Sequence, residues 1–372
     1  MANLLNLPTA EQFDMQNALL ASIASHVGTK GIQITSFDDL QRITRMGLHS
    51  RILTIGDQFE CTYNSTPIVL DVIGIDHDIP TDTHFTHSLT LQPHNVLLNA
   101  QFDAPEALYY AETELAAGLQ VFLLNSVKYK FTTGQAVPAG GQVFVKEWQS
   151  PTGAGEYVPT KVTTYAANRT TVIETDLAVT AAGEEEITLT PVNHHQRCKY
   201  GSDNYKESAV RQFLNSTADT FAWTPQTNYD RPSTGTPYNG AGFLKLLDPD
   251  LVAVLGTVNK QVARNTVTDG GGQDTFTDKV FLLSKVEVYG GTEGTTTGEN
   301  PYPYYASLAP APTADPLAGR IKYLSGSARA WWLRSPYVGY AYDPRYVSTS
   351  GSVNYSHDAY YAYGLAPACC II

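Results

Sequence analysis

Asp76, His77, Asp78, Asp82, His84, His87 and His94 crowd one short stretch of the sequence. Imidazoles interleaved with carboxylates are a donor set that borderline metal ions accept. The run is broken by Ile79-Pro80 and lacks the paired spacings of zinc sites, so a polar loop whose histidines bond backbone carbonyls competes with the metal reading. His194 and His195 are neighbours ahead of Cys198. Adjacent residues on a strand point to opposite faces, which works against one shared ion. Cys61, Cys198, Cys369 and Cys370 make neither a Cys-x-x-Cys pair nor a disulfide framework and read as buried thiols. Neither a Gly-x-Ser-x-Gly elbow nor a phosphate-cradling glycine loop is present. The expectation is a chain with no catalytic residue, no resident metal and no cofactor.

Contact chemistry is better represented. Tyr337, Tyr340, Tyr342, Tyr346, Tyr355, Tyr360, Tyr361 and Tyr363 account for eight of the 23 tyrosines, and they stand among Gly339, Asp343, Ser348, Ser352, Ser356, His357 and Asp358. Tyrosine offers a large amphipathic contact at low entropic cost, and small polar neighbours let the ring lie flat and bond adaptively. That is the composition of a binding surface. The competing reading is a tyrosine-rich edge strand packed into its own domain. A second observation bears on the choice. From Ser335 to Cys370 there is no Glu, Gln, Lys, Met or Trp, where the average composition of the chain predicts roughly five.

Such a surface needs rigid elements on either side. Trp331-Trp-Leu-Arg-Ser-Pro336 and Gly364-Leu-Ala-Pro-Ala-Cys-Cys-Ile-Ile372 are apolar and read as core strands, with a hairpin over 345–353 turning at Thr349-Ser-Gly351. Upstream, residues 59–63 and 68–73 read as strands joined by the turn Asn64-Ser-Thr-Pro67, and segments at 121–124, 142–145 and 185–190 continue a β pattern. Helices are expected at 9–27, 36–48, 105–117, 203–215, 242–247 and 249–255. Phe13, Leu20 and Val27 recur every seven residues in the first of these, a stripe that could form a short trimeric stalk. We take residues 1–50 as a helical attachment or oligomerisation region and 51–372 as a binding domain, with its contact segment over about 331–372.

The whole-chain arithmetic limits the partners. The chain has 372 residues, of which 42% are hydrophobic and only 16% charged, with 29 glycines and 21 prolines, which favours short strands and turns over helical bundles. A net charge of −12 without a basic run argues against nucleic acid. No apolar run is long enough to span a bilayer. The start Met1-Ala-Asn-Leu-Leu-Asn-Leu-Pro8 lacks the basic and apolar regions of a signal peptide, so synthesis in a bacterial cytoplasm without one is expected.

The residue types missing from 335–370, together with Trp331-Trp-Leu-Arg-Ser-Pro336, Thr349-Ser-Gly351 and Gly364-Leu-Ala-Pro-Ala368, resemble the variable proteins of diversity-generating retroelements, in their gut-phage branch. In that family, reverse transcription randomises template adenines in codons that end in a pyrimidine, and such codons cannot encode Glu, Gln, Lys, Met or Trp. Ser202–Asn215 and Val280–Glu287 resemble the same domain, so the similarity covers about 55–372. The resemblance implies an α+β, C-type-lectin-like fold. It implies a ligand-binding protein of a phage tail or prophage, on the virion, that recognises a host-surface protein or glycan; a bacterial surface-display protein or a fixed structural tail protein is the alternative. Carried over, the diversified positions are Tyr337, Gly339, Tyr340, Tyr342, Asp343, Tyr346, Ser348, Ser352, Tyr355, Ser356, His357, Asp358, Tyr360, Tyr361 and Tyr363. Trp331, Trp332, Arg334, Arg345, Val347, Gly351, Val353, Ala359, Gly364 and Pro367 would be framework, and Asn354 an unmutated template position. Formylglycine-generating enzymes share that fold and supply the enzyme rival, but they use two cysteines brought together from separate positions.

Overall fold

The computed structural model describes residues 34–153, 155–226, 230–233, 235–306 and 317–372. The helix expected at 9–27 and its heptad stripe lie outside them. Among the described residues the fold is mixed α+β and strand-dominated, and no helix is long and apolar enough to cross a membrane.

Two sheets carry the C-terminal half. In the first, the strands run in the order Gln58–Tyr63, Thr66–Ile75, Leu89–Pro93, Ala368–Ile371, Leu255–Gly256, and Val280–Phe281 also pairs with Ala368–Ile371. Tyr63 faces Thr66 across the first hairpin. Asn64 and Ser65 therefore form a two-residue turn with φ of 48° and 60°, the positive values that match the twist of the flanking strands. In the second sheet the order is Val353–Asn354, Pro344–Val347, Trp331–Pro336, Ala362–Leu365, Leu98–Gln101. Trp331–Pro336 is its middle strand and is buried along its whole length. Side chains alternate along it: Trp332 enters the core shared with Phe102, Tyr205 and Phe213, while Trp331 and Leu333 enter the core of Phe281, Tyr302 and Tyr305. A strand buried on both faces reads as a largely apolar run, here broken by Arg334 and Ser335.

The C-terminal segment expected as one strand is two. Ala362–Leu365 belongs to the second sheet and Ala368–Ile371 to the first. The chain changes sheets at Ala366-Pro367, where proline has no N–H to continue a ladder.

Residues 105–117 do not form a helix. Leu108 N–H donates to the Val143 carbonyl, Ala111 to Gly141 and Leu115 to Val137, so the donors a helix would use are taken by strand neighbours. Tyr109–Tyr110 is a short strand against Gln142–Gln149. The strand expected at 185–190 reduces to one bridge between Leu189 and Phe122. Strands from residues 109–181 build two further sheets around a third core that includes Phe122, Phe131, Val145 and Val162.

The boundary expected at residue 50 cuts through packed structure. The helix Phe37–Arg45, capped by the Ser36 hydroxyl accepting from Asp39 N–H, buries Leu40 and Ile43 in the main core. Gln41 and Arg45 both donate to the carbonyl of Ile372, at 2.8 and 3.1 Å. The helix thus clamps the C-terminal strand, because its apolar stripe is completed by that core.

Candidate functional site: a tyrosine face on a buried charged frame

Below the middle strand lies a connected set of buried charges. Arg334 is fully buried and donates to both oxygens of Glu287, to Glu299 at 2.8 Å, and to the carbonyls of Gln261 and Leu282. Glu287 closes a capping box with Ser284 at the start of the helix Lys285–Tyr289. Lys260 bridges Glu287 at 2.6 Å and Asp78 at 2.7 Å, and Tyr302 donates to Asp78. Burial disfavours the ionised forms of Asp78 and Glu287, yet Lys260 beside the first and Arg334 and Lys260 beside the second hold both well below the usual carboxylate range. Every carboxylate of this network is tied to a buried cation, the condition under which such a network is tolerated inside a protein.

The loop that leaves this strand carries the tyrosines. Tyr337 stacks on Tyr355 with ring centroids 3.9 Å apart, and Tyr340 packs against both. Arg345 lies under them, 4.5 Å from the Tyr337 centroid, and is held by a two-point bond to the buried Glu293. Tyr340 meets Tyr342 edge to face at 5.5 Å. Tyr342 then stacks on Tyr200, which packs on Tyr360, and Tyr360 on Tyr361 at 4.6 Å. His357 joins Tyr361 to Tyr363. Ring contacts therefore run without a break from Tyr355 to Tyr363. Tyr340, Tyr355 and Tyr361 are the most open, with Gly339 and Ser356 also exposed. Tyr337, Tyr342, Ser348, Ser352, His357, Asp358, Tyr360 and Tyr363 are half-buried.

Two of the expected contact residues are inside. Tyr346 is 4% exposed. It sits on the inner side of Pro344–Val347, against Trp332 and Tyr363, with its hydroxyl 3.2 Å from Ser356 Oγ. Asp343 is 6% exposed and faces Asp358. Burial and the neighbouring carboxyl push Asp343 up to about 8. Asp358 rises to about 6 through burial, against the pull of Lys199 and of its bond to Asp343. The pair holds one proton near neutral pH. Gly351 is framework in a physical sense: its φ is +83°, and a Cβ there would meet the Leu317 carbonyl oxygen at 2.1 Å. The two indole N–H groups are also used, Trp331 donating to Arg320 O and Trp332 to Ala100 O.

Three contributors to the face come from elsewhere in the chain. Tyr157 and Tyr200 enclose the Lys199 ammonium, at 3.6 and 4.3 Å from their centroids, and Tyr200 extends the stack begun by Tyr342. The sequence signal for them is thin: Lys199-Tyr200 stands next to Ser202–Asn215, and Tyr157 has no signal at all.

The ligand-type residues at 76–94 are divided among separate places. Asp78 belongs to the buried network. His94 bonds the buried Asp71 at 2.9 Å, and His84 bonds Asp82 at 2.7 Å on the surface. His49 and His87 both reach one oxygen of Asp76, at 3.0 Å each. His49 is a member that the sequence reading missed. His195 bonds Glu156, while His194 caps the helix His195–Tyr200. Cys369 and Cys370 enter opposite cores, and burial pushes both thiols up. A groove of about 900 Å³ lies between the first hairpin and Tyr323 and contains none of the tyrosine face.

The fold and this surface define a strand-dominated α+β protein that presents a continuous aromatic face on a buried, charge-locked strand. Residues 168–372 match the model of a family described as a domain of unknown function (DUF6273), and the chain belongs to that family. No curated protein and no solved structure matches the chain.

Proposed function

We propose that the chain is a ligand-binding protein whose tyrosine face is rewritten by a diversity-generating retroelement on a C-type-lectin-like scaffold, and that it acts at a phage tail in recognising a host-surface protein or glycan. The observation that carries this reading is the coincidence of two patterns on one segment. The segment lacking Glu, Gln, Lys, Met and Trp also supplies every ring of the continuous surface except Tyr200, while the flanking strands are buried and bonded. Side chains on such a face can change without disturbing the frame beneath, which is what a diversified binder requires. Binding then needs no reacting group. The vicinal cysteines support this against the formylglycine-generating rival, since they diverge into separate cores with thiols kept protonated by burial.

Replacing Tyr340, Tyr342, Tyr360 and Tyr361 together by alanine is expected to abolish attachment to host cells while lowering Tm by less than about 4 °C. Calorimetry and a cell-adsorption assay read the two quantities, and loss of folding would assign these rings to the core. The DNA beside the gene supplies the mechanistic half of the test. A near-copy of the segment with adenines at the substituted positions, next to a reverse transcriptase, is expected.

A further inference from the structure

A groove of about 490 Å³ opens beside the tyrosine face, on the outer side of the strands Gln142–Gln149 and Val158–Tyr165. Phe144, Trp148 and Tyr165 line it, together with Arg231, Lys199 and Lys146. No aspartate or glutamate lines it, in a chain whose net charge is −12. Lys146 is already engaged by Asp176 at 3.0 Å. Arg231 and Lys199 form no salt bridge among the described residues. The Arg231 guanidinium carbon lies over Phe144, 3.6 Å from the ring centroid, and near Tyr165 at 5.3 Å. Burial lowers its affinity for its proton, offset in part by Tyr165 and Asp230. Asp230 itself is buried and spends one oxygen on Arg231 N–H. Lys199 feels Asp358 at a distance and is otherwise enclosed by Tyr157 and Tyr200.

We propose that this groove is a second binding site, for a carboxylate-bearing glycan, lying next to the tyrosine face and joined to it at Lys199. Aromatic rings give flat apolar surfaces for the faces of pyranose rings. A guanidinium held over Phe144 and hydrogen-bonded to Tyr165 keeps its remaining N–H groups for a carboxylate, with little left to order. Two unpaired cations are too few for a polyphosphate chain, whose capture rests on many phosphate contacts. The groove reaches the tyrosine face at Gln101, which lines it and donates to the Tyr360 carbonyl at 2.7 Å. A glycan held here would keep the variable face close to the host surface while its tyrosines differ.

The test titrates the full chain with a defined oligogalacturonide and with a maltooligosaccharide of equal length, by calorimetry. Binding of the acidic sugar alone is expected. Arg231→Met and Lys199→Met should each weaken it by about tenfold or more, and Tyr340→Ala with Tyr355→Ala should change it by less than about twofold. If Arg231→Met fails to fold, Lys199→Met decides. No binding of the oligogalacturonide, equal binding of the neutral sugar, or unchanged affinity in the cation variants overturns the proposal. An oligothymidylate that binds with the same dependence on Arg231 would also overturn it in favour of nucleic acid. Loss in the double tyrosine variant alone would move the glycan onto the variable face and leave the groove without a role.

Discussion

The strand Trp331–Pro336 and the loop region that follows it are neighbours in sequence and both rich in large aromatic rings, yet they use them in opposite ways. Trp331 and Trp332 are wholly buried, each on its own side of the sheet, with both indole N–H groups bonded to carbonyls. Tyr340 and Tyr355 stack with Tyr337, Tyr361 stacks on Tyr360, and all three keep faces open to solvent. The difference lies in what surrounds the rings. Under the strand, two sheets and a helix converge and the buried charges of Arg334, Lys260, Glu287 and Asp78 are paired with one another. Under the loop there is one layer of support, Arg345 with Glu293 and Lys199 with its two tyrosines. Aromatic content alone does not separate core from contact surface; the number of layers beneath does.

Removing the charge at the centre of the frame is the strongest way to break this contrast. Arg334→Met leaves Glu287 and Glu299 without their main cation in a fully buried site, and stability should fall by about 3–5 kcal/mol. Urea unfolding of wild type and variant measures it. A loss below about 1 kcal/mol would mean that Lys260 alone compensates, and the frame would not be charge-locked.

Tyr346 sharpens the contrast from the other side, because it belongs to the variable segment by sequence and to the core by position. Truncation to alanine should cost about 3 kcal/mol, in the range for buried aromatics, whereas Tyr355→Ala should cost less than about 1 kcal/mol. Thermal unfolding of the two single variants in parallel gives the comparison. Equal costs would erase the boundary between core and face inside this segment.

Much of the fold was legible where the pattern is local. The middle strand, the hairpin around Gly351, the helix pair Phe243–Leu246 and Pro249–Val254, and a turn within Asn64–Pro67, which the structure narrows to Asn64-Ser65, all follow from apolar runs, turn residues and caps. Residues 105–117 misled because Ala107, Leu108, Ala111 and Leu115 recur at helical spacing, while their backbone donors are claimed by Val137, Gly141 and Val143, which no local pattern announces. Within the tyrosine segment the location was readable but the parity was not. Side chains alternate along Pro344–Val347, so Tyr346 and Arg345 face opposite ways, and the sequence does not say which way is in. The resemblance assigned Arg345 to the frame and Tyr346 to the face; the structure puts Tyr346 inside and lays Arg345 beneath Tyr337 and Tyr355. Tyr157, Lys199 and Tyr200 were missed for the reason that governs most site assembly: they meet the segment only through the folded chain.

A further contrast between the tyrosine segment and the frame beneath it lies in pH. Asp343 is pushed from an ordinary value of 3.8 up to about 8 by burial and by Asp358, so between about pH 4 and pH 8 the native state holds a proton that the unfolded chain has released. Where the native state binds more protons, unfolding free energy falls as pH rises. The stability contributed by protonated Asp343 is therefore complete below about pH 4 and is lost as pH passes about 8. Asp343→Asn keeps the shape and cannot ionise, so it should remove this part of the slope and be more stable than wild type at about pH 8.5. Asp230 and Asp278 also titrate upward, to about 7 and about 6, so the readout is the difference between variant and wild type in urea unfolding at about pH 5 and about pH 8.5. Asp78 and Glu287, held low by Lys260 and Arg334, stay ionised through that window and contribute no slope. If the difference is flat, the shared proton is not on Asp343, and the face loses the pH response that the frame beneath it does not have.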